Sequence, residues 1–237
     1  MKRVSTLLLL LLVVQFTFGQ YEPKTKGELV KHTHYTLDYN EPHEQANWVY
    51  YHLLPSNING GVKRTNSFRP DPKVSTQSAT TADYTKSGYD RGHLCPAADM
   101  SHTEEAMRES FYMSNMSPQA PMLNRGKWKT LEEAVRRWCL AKGELHITVG
   151  GVLKDGLPQI GANKVSVPEQ YYKAIYSPRT GEMIAFLMPN TKLEESIEHF
   201  AVTVDEVEAI IGIDLFPQAD QSRTRLRNEV KKPPIHL

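Results

Sequence analysis

The residues best equipped for chemistry lie in one short run, Ser87 to Pro96, which reads SGYDRGHLCP. Asp90, Arg91, Gly92 and His93 set a carboxylate, a guanidinium, a glycine and an imidazole side by side. With an ordinary pKa of about 6.5, an imidazole can take a proton near neutral pH. A guanidinium is a permanent cation whose fork of donors fits phosphate or carboxylate oxygens. Taken alone, the tetrapeptide is weak evidence, since it arises by chance in roughly one chain of this length in several hundred. Its weight depends on what else reaches the same place.

A second set lies downstream, in the segment NRGKWKTLEEAVRRWCLAKG from Asn124 to Gly143. Trp128, Leu131, Val135 and Trp138 recur at helical spacing, and at roughly 100° per residue the last three fall within about 80° of Trp128. Gly143 supplies a C-cap. Glu132 lies about 40° from Trp128, inside the apolar stripe, whereas Glu133 points away. A carboxylate on a buried face is costly unless it is paired or used. It reads either as half of a buried salt bridge or as an organiser of water around a cation. Extended backwards, the same helix puts Asn124 about 40° to the other side of Trp128. Eight residues of straight helix rise about 12 Å, so Asn124 and Glu132 cannot both ligate one ion from a regular helix. Asn124 is therefore expected in the turn before the helix, with Glu132 acting through water.

The elements that must position these residues are legible in outline. NWVYYHLL (Asn47 to Leu54) is aromatic and β-branched and predicts a strand. ELHITVGGVL, KVSVPEQYYKAIYS and EMIAFLMPN predict three more, the last two separated by the turn PRTG. TVDEVEAIIGI predicts a short helix with Asp205 as N-cap. Asp71 to Gly88, rich in Ser, Thr, Asp and Lys, reads as a long surface loop feeding the DRGH run. The basic tail RTRLRNEVKKPPIHL closes the chain.

The chain has 237 residues, 40% hydrophobic and 23% charged, which suits a globular domain with a substantial core. Residues 1–20 open with Lys2 and Arg3, continue through an apolar run from Leu7 to Val14 and end near Gly19/Gln20. This is the pattern of a secretory signal peptide, too short to span a membrane. The chain has 28 basic and 27 acidic residues, and removing 1–20 takes two basic residues and no acidic one, leaving 26 against 27. A nucleic-acid site must then be a local patch. Cys95 and Cys139, in an oxidising compartment, form either one disulfide or two separate buried thiols. His32 and His34 lack the further ligands a zinc site needs and read as surface histidines. Met100, Met107, Met113 and Met116 read as core fillers.

YDRGH followed by FYMSNMSPQAPMLNRGKWKTLEE resembles the DNA/RNA non-specific endonuclease family. Asn115, Pro118 and Gln119 supply its Asn-x-x-Pro-Gln segment, and Leu-Asn-x-Gly-x-Trp and Leu-Glu follow in order. The resemblance runs from about Tyr35 to Pro217. It implies an α+β, ββα-metal nuclease fold with a central antiparallel sheet flanked by helices, in one domain over 21–237 with its core at about 35–217. It also implies roles. His93 is the general base, and Asn124 is the one direct protein ligand of Mg²⁺ (or Mn²⁺ or another divalent cation). Glu132 holds the cation's waters, Arg91 contacts phosphate, and Asp90 is structural. Arg64 stabilises the transition state, with Arg69 a weaker choice, and Arg125 contacts substrate. The substrates would be DNA and RNA, cut to leave a 5′-phosphate and a 3′-hydroxyl.

The residue types suit that chemistry on their own terms. Hydrolysis of an anionic diester needs a base, and charge builds on the phosphoryl oxygens and on the leaving oxygen. Mg²⁺ keeps most of its waters, so a lone Asn is a credible anchor. Arg125, Lys127, Lys129, Arg136 and Arg137 are either a strand-tracking patch or a solvated helix face. The expectation is a secreted or periplasmic nuclease free of the membrane. The alternatives are a catalytically silent module that binds nucleic acid or another polyanion, and a phosphodiesterase for small substrates.

Overall fold

The aromatic and β-branched runs build one large sheet, seen in a computed structural model that describes residues 21–58 and 60–219. The expected signal peptide, residues 1–20, and the basic tail from Arg223 lie outside the described residues. In chain order the elements are β1 (Glu28–Lys31), β2 (Tyr35–Asn40), β3 (Gln45–Leu53), α1 (Thr81–Tyr84), β4 (Asp90–His93), α2 (Glu104–Ser110), β5 (Met116–Gln119), α3 (Lys129–Lys142), β6 (Leu145–Gly151), β7 (Gln159–Ile160), β8 (Val165–Ser166), β9 (Gln170–Tyr176), β10 (Met183–Pro189), β11 (Ala201–Val202) and α4 (Val204–Ile211). Seven strands pair antiparallel in the order β1-β2-β3-β6-β9-β10-β11.

Both faces of this sheet are covered. Val49, Tyr51 and Leu53 of β3 join Leu145, Ile147 and Val149 of β6 in a core with Trp128, Leu131 and Val135. On the other face, Trp48 and Tyr50 pack with Tyr172, Ala174 and Tyr176 beneath Val204 and Val207 of α4. A strand buried on both sides has no polar alternation to show, which is why Trp48 to Tyr51 reads as an unbroken aromatic and β-branched run. The expected central antiparallel sheet flanked by helices is present.

Several local expectations are corrected. The regular helix begins at Lys129, because the preceding helical turn, Leu123–Trp128, breaks at Gly126, with φ −106° and ψ −112°. Asn124 thus sits in a separate turn, as the rise argument required. Gly143 ends α3 at φ 91°. The cap of α4 is Thr203 rather than Asp205: its hydroxyl accepts from Glu206 N at 3.1 Å, while Glu206 accepts from Thr203 N at 2.7 Å. This reciprocal box satisfies two helix-end donors at once. The segment from Asp71 to Gly88 is no open loop, since Asp71, Ser78, Ala79, Asp83 and Tyr84 are buried. His32 is no surface residue either. It is buried, with Nε2 2.8 Å from Asp71 and Nδ1 3.6 Å from Glu109. Cys95 and Cys139 are two free, buried thiols, the second donating to Leu53 O at 3.4 Å. The four methionines are buried, as expected of core fillers.

Candidate active site

β4 and β5 form a separate antiparallel pair, and with α3 they make a ββα unit in chain order. The register sets Asp90 against Gln119, Arg91 against Pro118, Gly92 against Ser117 and His93 against Met116. Gly92 is required here because a Cβ would collide with the Gln119 side chain. Beyond His93 the chain is clamped by buried Asn115. Its Nδ2 donates to Cys95 O and Ser110 O, each at 2.9 Å, and its Oδ1 accepts from Cys95 N at 2.8 Å. At Pro118, the carbonyl accepts from Tyr171 Oη at 2.9 Å and from Asn190 Nδ2 at 3.0 Å. The Asn-x-x-Pro-Gln segment therefore serves to hold the DRGH strand.

His93 is held by packing rather than by an orienting acid. Its ring meets Phe111 edge-on at 5.0 Å and Phe68 at 5.7 Å, and its buried Nε2 has no hydrogen-bond partner among the described residues. The same two rings carry the guanidiniums. Arg91 lies over Phe68 at 4.2 Å and Arg64 over Phe111 at 4.9 Å, both close enough for cation–π attraction. Phe68 and Phe111 also touch each other, at 4.9 Å. Burial, then the charges of Arg64 and Arg91, push the His93 pKa down to about 3, so the imidazole is neutral at pH 7. The sequence reading missed this aromatic frame, because apolar rings next to charged residues read only as core.

Of the two upstream arginines, the structure brings Arg64 to the site. Arg69 is spent elsewhere: it donates to Arg108 O at 2.8 Å and Ser67 O at 3.3 Å and lies over Tyr112. Asp90 joins β4 to the turn carrying Asn124. It accepts from Asn124 Nδ2 at 2.9 Å and takes Arg125 in a two-pronged grip, Nε at 2.8 Å and Nη2 at 2.6 Å. Burial would raise the Asp90 pKa, but these donors outweigh it and hold the carboxyl below its ordinary range. A carboxylate accepts and never donates, which assigns the nearer amide atom as nitrogen. Asn124 Oδ1 is then the atom left over, and no hydrogen bond among the described residues engages it. An amide oxygen fixed in this way suits a hard cation such as Mg²⁺ or Mn²⁺.

Glu132 projects from the first turn of α3 among charges that the sequence did not reveal. Burial pushes its pKa up to about 7, Asp99 adds to the rise, and Lys173, Arg136 and Arg64 restrain it. Lys173 is fully buried, its Nζ 5.1 Å from the Trp128 ring centre and without a hydrogen-bond partner among the described residues. Asp99 is buried as well, accepting from Arg136 at 2.9 Å and from Tyr51 Oη at 3.0 Å. Arg136 thus pairs with Asp99, and Glu132, for which a buried salt bridge was one of the two readings, makes no ion pair within 4 Å among the described residues. Arg136 turns inward and leaves the expected basic patch. Arg125 is exposed but tied to Asp90, Lys127 is half-buried, and Lys129 and Arg137 are exposed.

A profile of the DNA/RNA non-specific endonuclease family matches residues 15–222. The mitochondrial endonuclease G of Homo sapiens is 33% identical over 208 residues, covering 81% of this chain and 70% of that protein. A nuclease of Nostoc sp. is 36% identical over 194 residues, covering 76% and 70%. Nuclease C1 of Cunninghamella echinulata is 32% identical over 220 residues, covering 85% and 87%. A chain in a crystal structure of the EndoG/EndoGI complex superposes with a TM-score of 0.75 at 31% identity, covering 81% of this chain and 86% of that one.

Proposed function

The chain belongs to the DNA/RNA non-specific endonuclease family, with its α+β, ββα-metal fold, and on that premise we propose a hydrolase of DNA and RNA phosphodiester bonds that uses Mg²⁺ held on Asn124 and His93 as general base. The observation that carries the reading is the unengaged Oδ1 of Asn124, fixed by Asp90 beside the strand that bears His93. A cation bound there supplies charge stabilisation to the phosphoryl oxygens and the leaving 3′-oxygen. His93, neutral at pH 7, takes the proton of the attacking water. Arg64 and Arg91 hold the diester's anionic oxygens. A phosphate against them also cancels their share of the His93 depression, so the base strengthens when substrate is present. Glu132 orders the water around the cation from the first turn of α3. Recognition through phosphate and cation makes little use of base or sugar, which suits cleavage of both polymers.

Residues 21–237 act as one domain, exported to the periplasm or the medium once residues 1–20 are removed. The basic start and the apolar run from Leu7 to Val14 support export. Protein recovered outside the cytoplasm should have a mass that begins near Gln20, and an intact Met1 would refute the leader. Among the described residues, no helix is long and apolar enough to cross a membrane.

The test of function is direct. The purified protein with Mg²⁺ should cut plasmid DNA and RNA to 5′-phosphorylated fragments, EDTA should stop it, and His93→Ala should lower the rate by about 100-fold or more. Binding to either polymer without cleavage would favour the silent module.

A further inference from the structure

A second cluster of ligating side chains lies on the opposite face of the main sheet. His52 of β3 and His146 of β6 are direct cross-strand partners, and Glu144 precedes His146 by two positions. Side chains two apart in an extended segment share a face, and opposed pairs have Cβ atoms about 5 Å apart. Alternation places His52 and His146 with Tyr50, on the α4 face, while Tyr51, Leu53, Leu145 and Ile147 face α3. The cluster is thus separated from His93, Asn124 and Glu132 by the sheet itself.

One ligand atom from each of His52, Glu144 and His146 comes within 4.8 Å of the others. His52 Nε2 lies 2.8 Å from Glu144 Oε2, and the two imidazoles stack 4.3 Å apart at 7°. Neither feature makes the cluster a ligand set, but Tyr50 does supply an orienting partner: its hydroxyl is 2.7 Å from His146 Nδ1. When Nδ1–H donates to Tyr50, Nε2 is the ring atom that ligates, which is how an outer partner selects a metal-binding tautomer. His146 is buried beneath this contact. The side chains of His52 and Glu144 are 23% and 39% exposed, which leaves the site open to solvent on that side.

We propose that His52, Glu144 and His146 bind one divalent transition-metal ion of the Zn²⁺ class, with a water in the fourth position. Two imidazoles and a carboxylate prefer Zn²⁺ to Mg²⁺, whereas the oxygen donor at Asn124 has the reverse preference. Tetrahedral bonds of about 2.0–2.2 Å set ligand atoms about 3.3 Å apart. Ligand atoms that already lie within 4.8 Å of one another reach that spacing by side-chain adjustment alone. His52 and Glu144 are 92 positions apart, so the Glu144/His146 pair alone does not announce the site in the sequence.

The test is a calorimetric titration of the metal-free protein with Zn²⁺ in millimolar Mg²⁺. The intact protein should bind one equivalent that the His52→Ala/Glu144→Ala double variant lacks, and Tyr50→Phe should weaken that equivalent by about 10-fold. Both variants should keep the far-ultraviolet dichroism and the Mg²⁺-dependent DNA cleavage of the intact protein. Co²⁺ should give the intense visible bands of tetrahedral coordination in the intact protein and not in the double variant. Equal Zn²⁺ uptake by the intact protein and the double variant, or no uptake by the intact protein, would overturn the assignment.

Discussion

Asp90 shows how a side chain can act on the chemistry through the neighbours it orients. By taking both Asn124 Nδ2 and the Arg125 fork, it chooses which amide atom is offered to a cation. Asp90→Ala should therefore raise the Mg²⁺ concentration for half-maximal cleavage by about 10- to 100-fold, with the rate recovering at high Mg²⁺. An unchanged Mg²⁺ dependence would show that Asp90 does not orient the ligand. Glu132 makes a different prediction. Its pKa of about 7 lies above the ordinary 4.5, so the carboxylate forms only as pH rises through neutrality. Cleavage should climb over that interval in the intact protein. In Glu132→Gln the climb should vanish and the rate fall about 10- to 100-fold, and a preserved limb would assign it to another group.

Gly126 does for the helix what Asp90 does for the amide. The break there lets Leu123–Trp128 and Lys129–Lys142 follow different paths, so Asn124 and Glu132 escape the spacing of one straight helix. A Cβ at Gly126 would meet nothing within 4 Å, so Gly126→Ala should fold. Alanine favours helix over glycine by about 1 kcal/mol, which pulls the turn towards a continuous helix and Asn124 away from β4. The variant should keep its melting temperature within a few degrees and lose cleavage by about 10-fold or more. Full activity would mean that the break is incidental.

The packing of distant segments ties stability to pH. His32 follows β1 and lies between Asp71 of the long connection and Glu109 of α2. Burial disfavours its charge, but the two carboxylates outweigh that and hold its pKa above the ordinary 6.5. Asp71 and Glu109 would also be raised by burial, yet hydrogen bonds led by His32 hold them below 3.8 and 4.5. The His32 contribution is complete below pH 6.5 and is lost as pH rises through its raised value. The carboxylate contributions are present above 3.8 and 4.5 and are lost as pH falls. Urea denaturation should show greatest stability between about pH 4.5 and 6.5, and His32→Gln should flatten the alkaline fall. An equal alkaline fall in that variant would place its origin elsewhere.

Short-range order is readable from residue types: the strand in NWVYYHLL, the helix that ends at the Gly143 cap, and the chemistry of DRGH. The rise per residue leaves Asn124 in the turn before the helix, Glu132 acting through water, or both, and the break at Gly126 supplies the turn. Periodicity sees only neighbours within a few positions, so it could not show that Asp90 reaches Asn124 across 34 positions, or that Arg136 turns in to Asp99 across 37. The same blindness hid Phe68 and Phe111, and it placed His32 on the surface although its partners lie 39 and 77 residues away. Composition and local pattern thus determined which chemistry this chain can perform. The pairing of strands and the burial of charges decided which atom of each side chain is left to perform it, because a hydrogen bond or a desolvation cost depends on partners in space and not on order along the chain.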